Sequence, residues 1–143
     1  MVMKLSDNFT LEEMIKSNIA KRKHIDNTPN ENVIKNLKAL AINCLQPIRD
    51  YYKKPVTISS GYRCPALNKA VGGVSTSQHC NGMAVDFIIN GETVESVFQW
   101  CKKNLKYDQL IQEKNAWVHI SFNSNGNRHQ ALRYDGKKYI KEV

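Results

Sequence analysis

The sequence predicts an α+β fold, an antiparallel β-sheet with helices packed on it. Three observations lead there. Capped, helix-periodic segments fill the stretch from Thr10 to Ile48. Runs of β-type residues dominate from Gln109 to Ile140. Two pairs of those runs are joined by connections short enough for hairpins. Helices followed by strands, rather than a regular strand–helix alternation, is the α+β pattern.

The first helix begins at Thr10, because Thr10-Leu-Glu-Glu13 lets the hydroxyl cap the third amide while the glutamate reaches back. Leu11, Met14 and Ile15 give it an apolar face. A second helix is expected to start with Thr28 as cap, Pro29 in first position and Glu31 closing the box. Val33, Leu37, Leu40, Ala41, Cys44, Leu45 and Ile48 then recur at three- and four-residue steps, and Pro47 should bend or end the helix. Residues 56–58 read as a strand running into a long loop rich in Gly, Ser and Asn. Residues 84–89 form the next strand, and a helix over 93–103 carries Val94, Val97, Phe98 and Cys101 on one side. Residues 109–113 and 117–122 make a hairpin across three connecting residues. Asp135-Gly136 turns a last hairpin between 132–134 and 138–140. With no repeat and no linker, residues 1–143 read as a single domain.

Composition narrows the function classes. The net charge of +8 suits an anionic partner, and nucleic acid, an anionic membrane or an acidic wall polymer satisfy it equally. The lysines are spread from Lys4 to Lys141, which reads as solvated surface. Helix-turn-helix, zinc-finger and RNA-recognition signatures are absent, so no nucleic-acid partner is expected. No run approaches the roughly 20 apolar residues of a membrane span. The N-terminus has neither the apolar core nor the cleavage site of a signal peptide. The expectation is a monomer, cytoplasmic at synthesis. Cys44, Cys64, Cys80 and Cys101 form no Cys-x-x-Cys pair, which argues against a thiolate zinc site. Cys44 and Cys101 fall on apolar helix faces, whereas Cys64 and Cys80 lie where they could meet.

The chemistry concentrates in Ser77-Gln-His79-Cys-Asn-Gly82-Met-Ala84-Val-Asp86 and Trp117-Val-His119-Ile-Ser121. Gly82 permits a sharp turn that folds His79 back towards Asp86. Strand alternation puts Trp117, His119 and Ser121 on one face. If the strand of Asp86 neighbours that of His119, two imidazoles and a carboxylate converge. Three such ligands with a fourth position for water distinguish a catalytic zinc site from a closed structural one.

Ser77-x-His79-x-x-Gly82-x-Ala84-x-Asp86 followed by Trp117-Val-His119 resembles the zinc D-alanyl-D-alanine carboxypeptidase family. That group takes in vancomycin-resistance dipeptidases and phage endolysins and shares its fold with hedgehog signalling domains. The likeness runs from about Phe9 to Phe122 and includes Leu45-Gln-Pro-Ile-Arg49 and Ile58-Ser-Ser-Gly-Tyr-Arg63. It implies His79, Asp86 and His119 as ligands of one zinc ion per chain. Arg63 matches an arginine that binds and polarises substrate, a task suited to a permanently charged fork. Ser77, Gln78 and Trp117 are the further substrate-binding candidates. The implied substrate is a peptidoglycan stem peptide, cut as a D-Ala-D-Ala end by a carboxypeptidase or internally by an endopeptidase. A phage or prophage lysis enzyme released to the wall by other means would fit the missing export signal.

The chain departs from the family at the general base. Better-known members carry Glu or Asp three residues before the last ligand, and here Ala116 stands there. Glu113 is the nearest carboxylate. A three-residue connection pairs Glu113 with Trp117 and Ile111 with His119. Glu113 then faces the metal side, displaced by about 7 Å along the sheet. It is assigned as general acid/base, with Asp108 as the alternative. The implied reaction is metal-assisted amide hydrolysis, with Glu113 moving the proton and Arg63 gripping the developing oxyanion. Ala116 also motivates a second reading, a zinc-containing wall-binding module with weakened catalysis. His24 and His129 read as surface residues.

Overall fold

The structure, a computed structural model, describes residues 3–142. The chain opens with a small ribbon, β1 (Lys4–Ser6) against β2 (Phe9–Thr10), which buries Leu5 and Phe9. Thr10 caps α1 (Leu11–Ile15) with both halves of the capping box made. A short α2 (Asn18–Arg22) follows, capped by Ser17.

The next helix starts later than its sequence suggests. Asn30 caps α3 (Glu31–Leu40), its side chain accepting the Val33 amide at 2.9 Å. Thr28 instead donates through its amide and hydroxyl to Asp26 in the preceding turn. Both residues are good caps, and the asparagine lies closer to the periodic face. Pro47 does not end the helix. A π-helical turn over Ala41–Leu45 leads directly into α4 (Gln46–Tyr52), with the Gln46 amide reaching Ala41 carbonyl. Proline has no N–H to give and its ring crowds the carbonyl four residues back. A wider turn just upstream absorbs both problems without a break. The apolar face therefore stays continuous, and Leu37, Leu40, Cys44, Leu45 and Ile48 are all buried.

Six strands make the main sheet in the order β3-β4-β6-β5-β7-β8. They are β3 (Val56–Ser60), β4 (Ala84–Ile89), β5 (Gln109–Glu113), β6 (Trp117–Ser121), β7 (Gln130–Tyr134) and β8 (Tyr139–Lys141). Between β3 and β4 the expected loop contains α5 (Pro65–Ala70) and a 3₁₀ turn, Gln78–Asn81. The long α6 (Val94–Asn104) is capped by Thr93 and lies against β4, β5 and β6. Val85, Phe87, Val118, Ile120 and Leu110 alternate onto the helix-covered face, where they join Val97, Phe98 and Cys101 in the core. Burial of each such side chain contributes about 1.5–3 kcal/mol, far more than local propensity does. The other face carries Asp86, His119 and Glu113.

The sheet is mostly antiparallel, but β7 runs parallel to β5. β6 reverses direction beside β5, so a chain that returns over residues 122–129 re-enters the sheet on β5's far side in β5's own direction. Asp108 fixes that landing: its side chain accepts from the Arg128 amide at 2.7 Å and its carbonyl from Gln130 at 3.0 Å. All four cysteines are free. Burial pushes the Cys44 thiol up to about 12, in keeping with a core residue rather than a ligand. Among the described residues no helix is long and apolar enough to cross a membrane.

Candidate metal centre

Asp86 and His119 are direct partners across β4 and β6, so strand pairing alone brings their side chains together on one face. His79 arrives from the 3₁₀ turn. Ser77 Oγ accepts the His79 amide at 3.2 Å at the start of that turn, and Gly82, with φ of +71°, ends it. An alanine at position 82 would also place its Cβ 2.7 Å from the Val33 carbonyl, so the turn and α3 fit each other only through glycine.

The ligand atoms of His79, Asp86 and His119 lie within 4.8 Å of one another. His119 Nδ1 is 2.9 Å and His79 Nε2 3.4 Å from Asp86 Oδ1. Edges near 3.3 Å are what a tetrahedral ion with bonds of about 2.0–2.1 Å needs. His79, only 3% exposed, donates from Nδ1 to the Gly61 carbonyl at 2.8 Å. In the neutral ring that bond puts the proton on Nδ1 and turns the Nε2 lone pair towards the Asp86 carboxylate. A divalent cation between them satisfies both, so the residues fit zinc. Burial alone would lift the Asp86 carboxyl, but its contacts with His119 and His79 outweigh it and hold the group well below the carboxylate range. Among the described residues no fourth His, Cys, Asp or Glu joins the cluster.

The Gly61 carbonyl orients the His79 ring, a role that the Ser-Gly-Tyr-Arg segment does not reveal as sequence. A Cβ at position 61 would sit 2.1 Å from the Met14 carbonyl oxygen, backbone against backbone. Gly61→Ala should therefore cost more than about 3 kcal/mol, beyond ordinary overpacking. The check is a thermal melt, and a shift of only a degree or two would show that α1 can move aside freely.

A cleft of about 510 Å³ surrounds the three residues. Arg63, Ser77, Gln78, Glu113 and Trp117 line it together with the cluster itself, whereas Asp108, the alternative base, does not. Glu113 pairs with Trp117, and Ile111 with His119, in the register the hairpin length implies. The Ala116 amide donates to the Glu113 carbonyl at 2.8 Å, which puts Ala116 at the exposed hairpin tip. The Glu113 carboxylate accepts no hydrogen bond from a described residue. Burial raises it above the ordinary glutamate range and the Asp86 charge adds to this, while His119 and Lys114 pull the other way.

Asp108 is differently placed. It is 3% exposed, and its carboxylate accepts from Arg128 Nε, Nη2 and amide and from Gln78 Nε2. The Arg63 guanidinium makes only long contacts, 3.4 Å each, with Ser60 and Ser77, and its buried Nε has no partner among the described residues. Such a guanidinium is poised for a ligand rather than satisfied by the fold. Arg128 and Tyr139 also line the cleft and were not singled out by the sequence. Both come from beyond the motif, and only the topology that lays β7 and β8 beside β5 brings them in.

A family model described as Peptidase M15 matches residues 7–121. No curated protein matches the chain.

Proposed function

The chain belongs to the peptidase M15 family, and on that footing we propose that it is a zinc metallopeptidase hydrolysing amide bonds in peptidoglycan stem peptides. The observation that carries the reading is the convergence of His79, Asp86 and His119 in a cleft that also holds an unclaimed glutamate and an under-bonded arginine. Zinc bound there supplies Lewis acidity and a water whose pKa is lowered towards about 7.

The protein's own groups do the rest. His79, kept in one tautomer by Gly61, and His119 present nitrogen donors, and Asp86 the carboxylate between them. Glu113, raised by burial, takes the proton of the attacking water and returns it to the leaving amine. Arg63 grips a substrate carboxylate or the developing oxyanion with two donors. Ser77 holds both the Arg63 end and the His79 turn, and Gln78 ties that turn to Asp108. Trp117, beside Glu113 under the Lys114 ammonium, walls the cleft. The positive net charge suits an acidic wall polymer.

The test is digestion of purified peptidoglycan with and without a chelator, followed by product masses. Loss of a terminal D-alanine marks a carboxypeptidase, and internal stem fragments mark an endolysin-type endopeptidase. Cleavage that persists after zinc is stripped would sink the metal mechanism. Zinc retained with no cleavage of any wall fragment would leave a wall-binding module.

A further inference from the structure

We propose that Arg128 is a second carboxylate anchor of the cleft, so that the preferred peptide carries two carboxylates, one for Arg63 and one for Arg128. The proposal rests on the peptidase reading above and names its substrate class more closely. Arg128 lies outside the family-matched residues 7–121, in the connection from β6 to β7, yet it lines the same cleft as Arg63, Glu113 and His119.

The guanidinium is held by one edge only. Nε and Nη2 donate to Asp108 at 3.1 and 2.9 Å, and no hydrogen bond to a described residue uses Nη1. A guanidinium has a second fork, formed by its two terminal nitrogens, and that fork is open. The Arg128 side chain is 56% exposed while that of Asp108 is 4% exposed. A purely structural partner for a buried aspartate has no need to stand out in a cleft. Nor does the connection depend on the guanidinium, since the amides of Arg128, His129 and Gln130 already bond to Asp108 or Tyr107. Asp108 neutralises part of the charge, but it also fixes the rotamer before any ligand arrives. A preorganised donor pair loses little further entropy on binding.

Both guanidiniums are tied to consecutive residues of the turn that carries His79. Arg63 reaches Ser77 directly, and Arg128 reaches Gln78 through their shared acceptor Asp108. One carboxylate occupies one bidentate fork. The open fork of Arg128, beside an Arg63 guanidinium held only by two long serine contacts, therefore selects a ligand with two acidic groups over a peptide with one.

The experiment measures binding to the zinc-loaded full chain carrying Glu113→Gln, so that peptide is not consumed. Three short peptides ending in D-Ala-D-Ala are compared by calorimetry: one with an additional free carboxylate side chain, one with that side chain amidated, and one with the C-terminus amidated. With Arg128 present, amidating the side chain should weaken binding on the order of 10- to 100-fold, the scale of a charge-assisted hydrogen-bonded pair. With Arg128→Gln, which keeps an amide for Asp108, the same amidation should change little, while amidating the C-terminus should still weaken binding. Arg128→Lys, a cation without the fork, should fall between. Equal sensitivity in the two backgrounds overturns the proposal, and so does an Arg128 protein indifferent to the side-chain amide. Because the readout is binding, a wild-type protein that shows the pattern but cleaves neither these peptides nor purified peptidoglycan supports the anchor while counting against the peptidase reading.

Discussion

Replacing His119 with alanine is expected to lower bound zinc from about one ion per chain to near zero, with peptidase activity lost alongside it. Three protein ligands leave no redundancy, unlike a structural site with four. His119 also supplies the closer of the two imidazole contacts to Asp86, at 2.9 Å. The fold should survive, because the neighbours Val118 and Ile120 make the core contacts of β6 and His119 faces the cleft. Metal content by elemental analysis and far-ultraviolet circular dichroism separate the two effects. Full zinc occupancy in the His119→Ala protein would remove this residue from the site. His79→Ala and Asp86→Ala should behave alike. His79→Ala also deletes a buried ring hydrogen-bonded to Gly61, so some loss of stability should accompany its loss of metal.

What could be read from the sequence was whatever local rules decide. The Thr10 box, the helix over 93–103 and the strand 84–89 follow from a cap, an apolar face and a β-type run, and the structure has α1, α6 and β4 there. The pairing of Glu113 with Trp117 followed from loop length, because a three-residue connection leaves one register. Long-range effects set the rest. α2 and α5 are too short to carry a periodic signal, and the ribbon β1–β2 is fixed by Leu5 and Phe9 reaching the core. At Pro47 a strong local rule lost to the continuous apolar face on either side, which the π turn preserves. The parallel β5–β7 pair has no local signature, since it depends on where residues 122–129 land. The site divides the same way. The motifs gather His79, Asp86, His119 and Arg63, and the hairpin register adds Glu113, but the Gly61 carbonyl and the Arg128 fork belong to the tertiary structure.

Glu113→Gln is expected to keep zinc and fold while losing at least about a hundredfold in rate, the usual scale for a general base. The substitution preserves shape and removes only the ability to take a proton. Glu113 accepts no hydrogen bond from the described residues, so the amide leaves no broken network behind. Its elevated pKa, caused first by burial, adds a pH signature. A base works when ionised, so the wild-type rate should rise with pH through an acidic limb set by Glu113, which burial pushes up and the charge of a bound zinc would pull down. In Glu113→Gln that limb should vanish, leaving a low rate insensitive to pH over the same window. Asp108→Asn is the contrasting variant. The Asp108 carboxylate is taken up by Arg128 and Gln78, which leaves no free lone pair directed at substrate. Its loss should loosen those two residues and lower the rate modestly, with the acidic limb in place. A near-normal Glu113→Gln enzyme beside a dead Asp108→Asn enzyme would transfer the role of base to Asp108. That would require its ion pair with Arg128 to open during turnover.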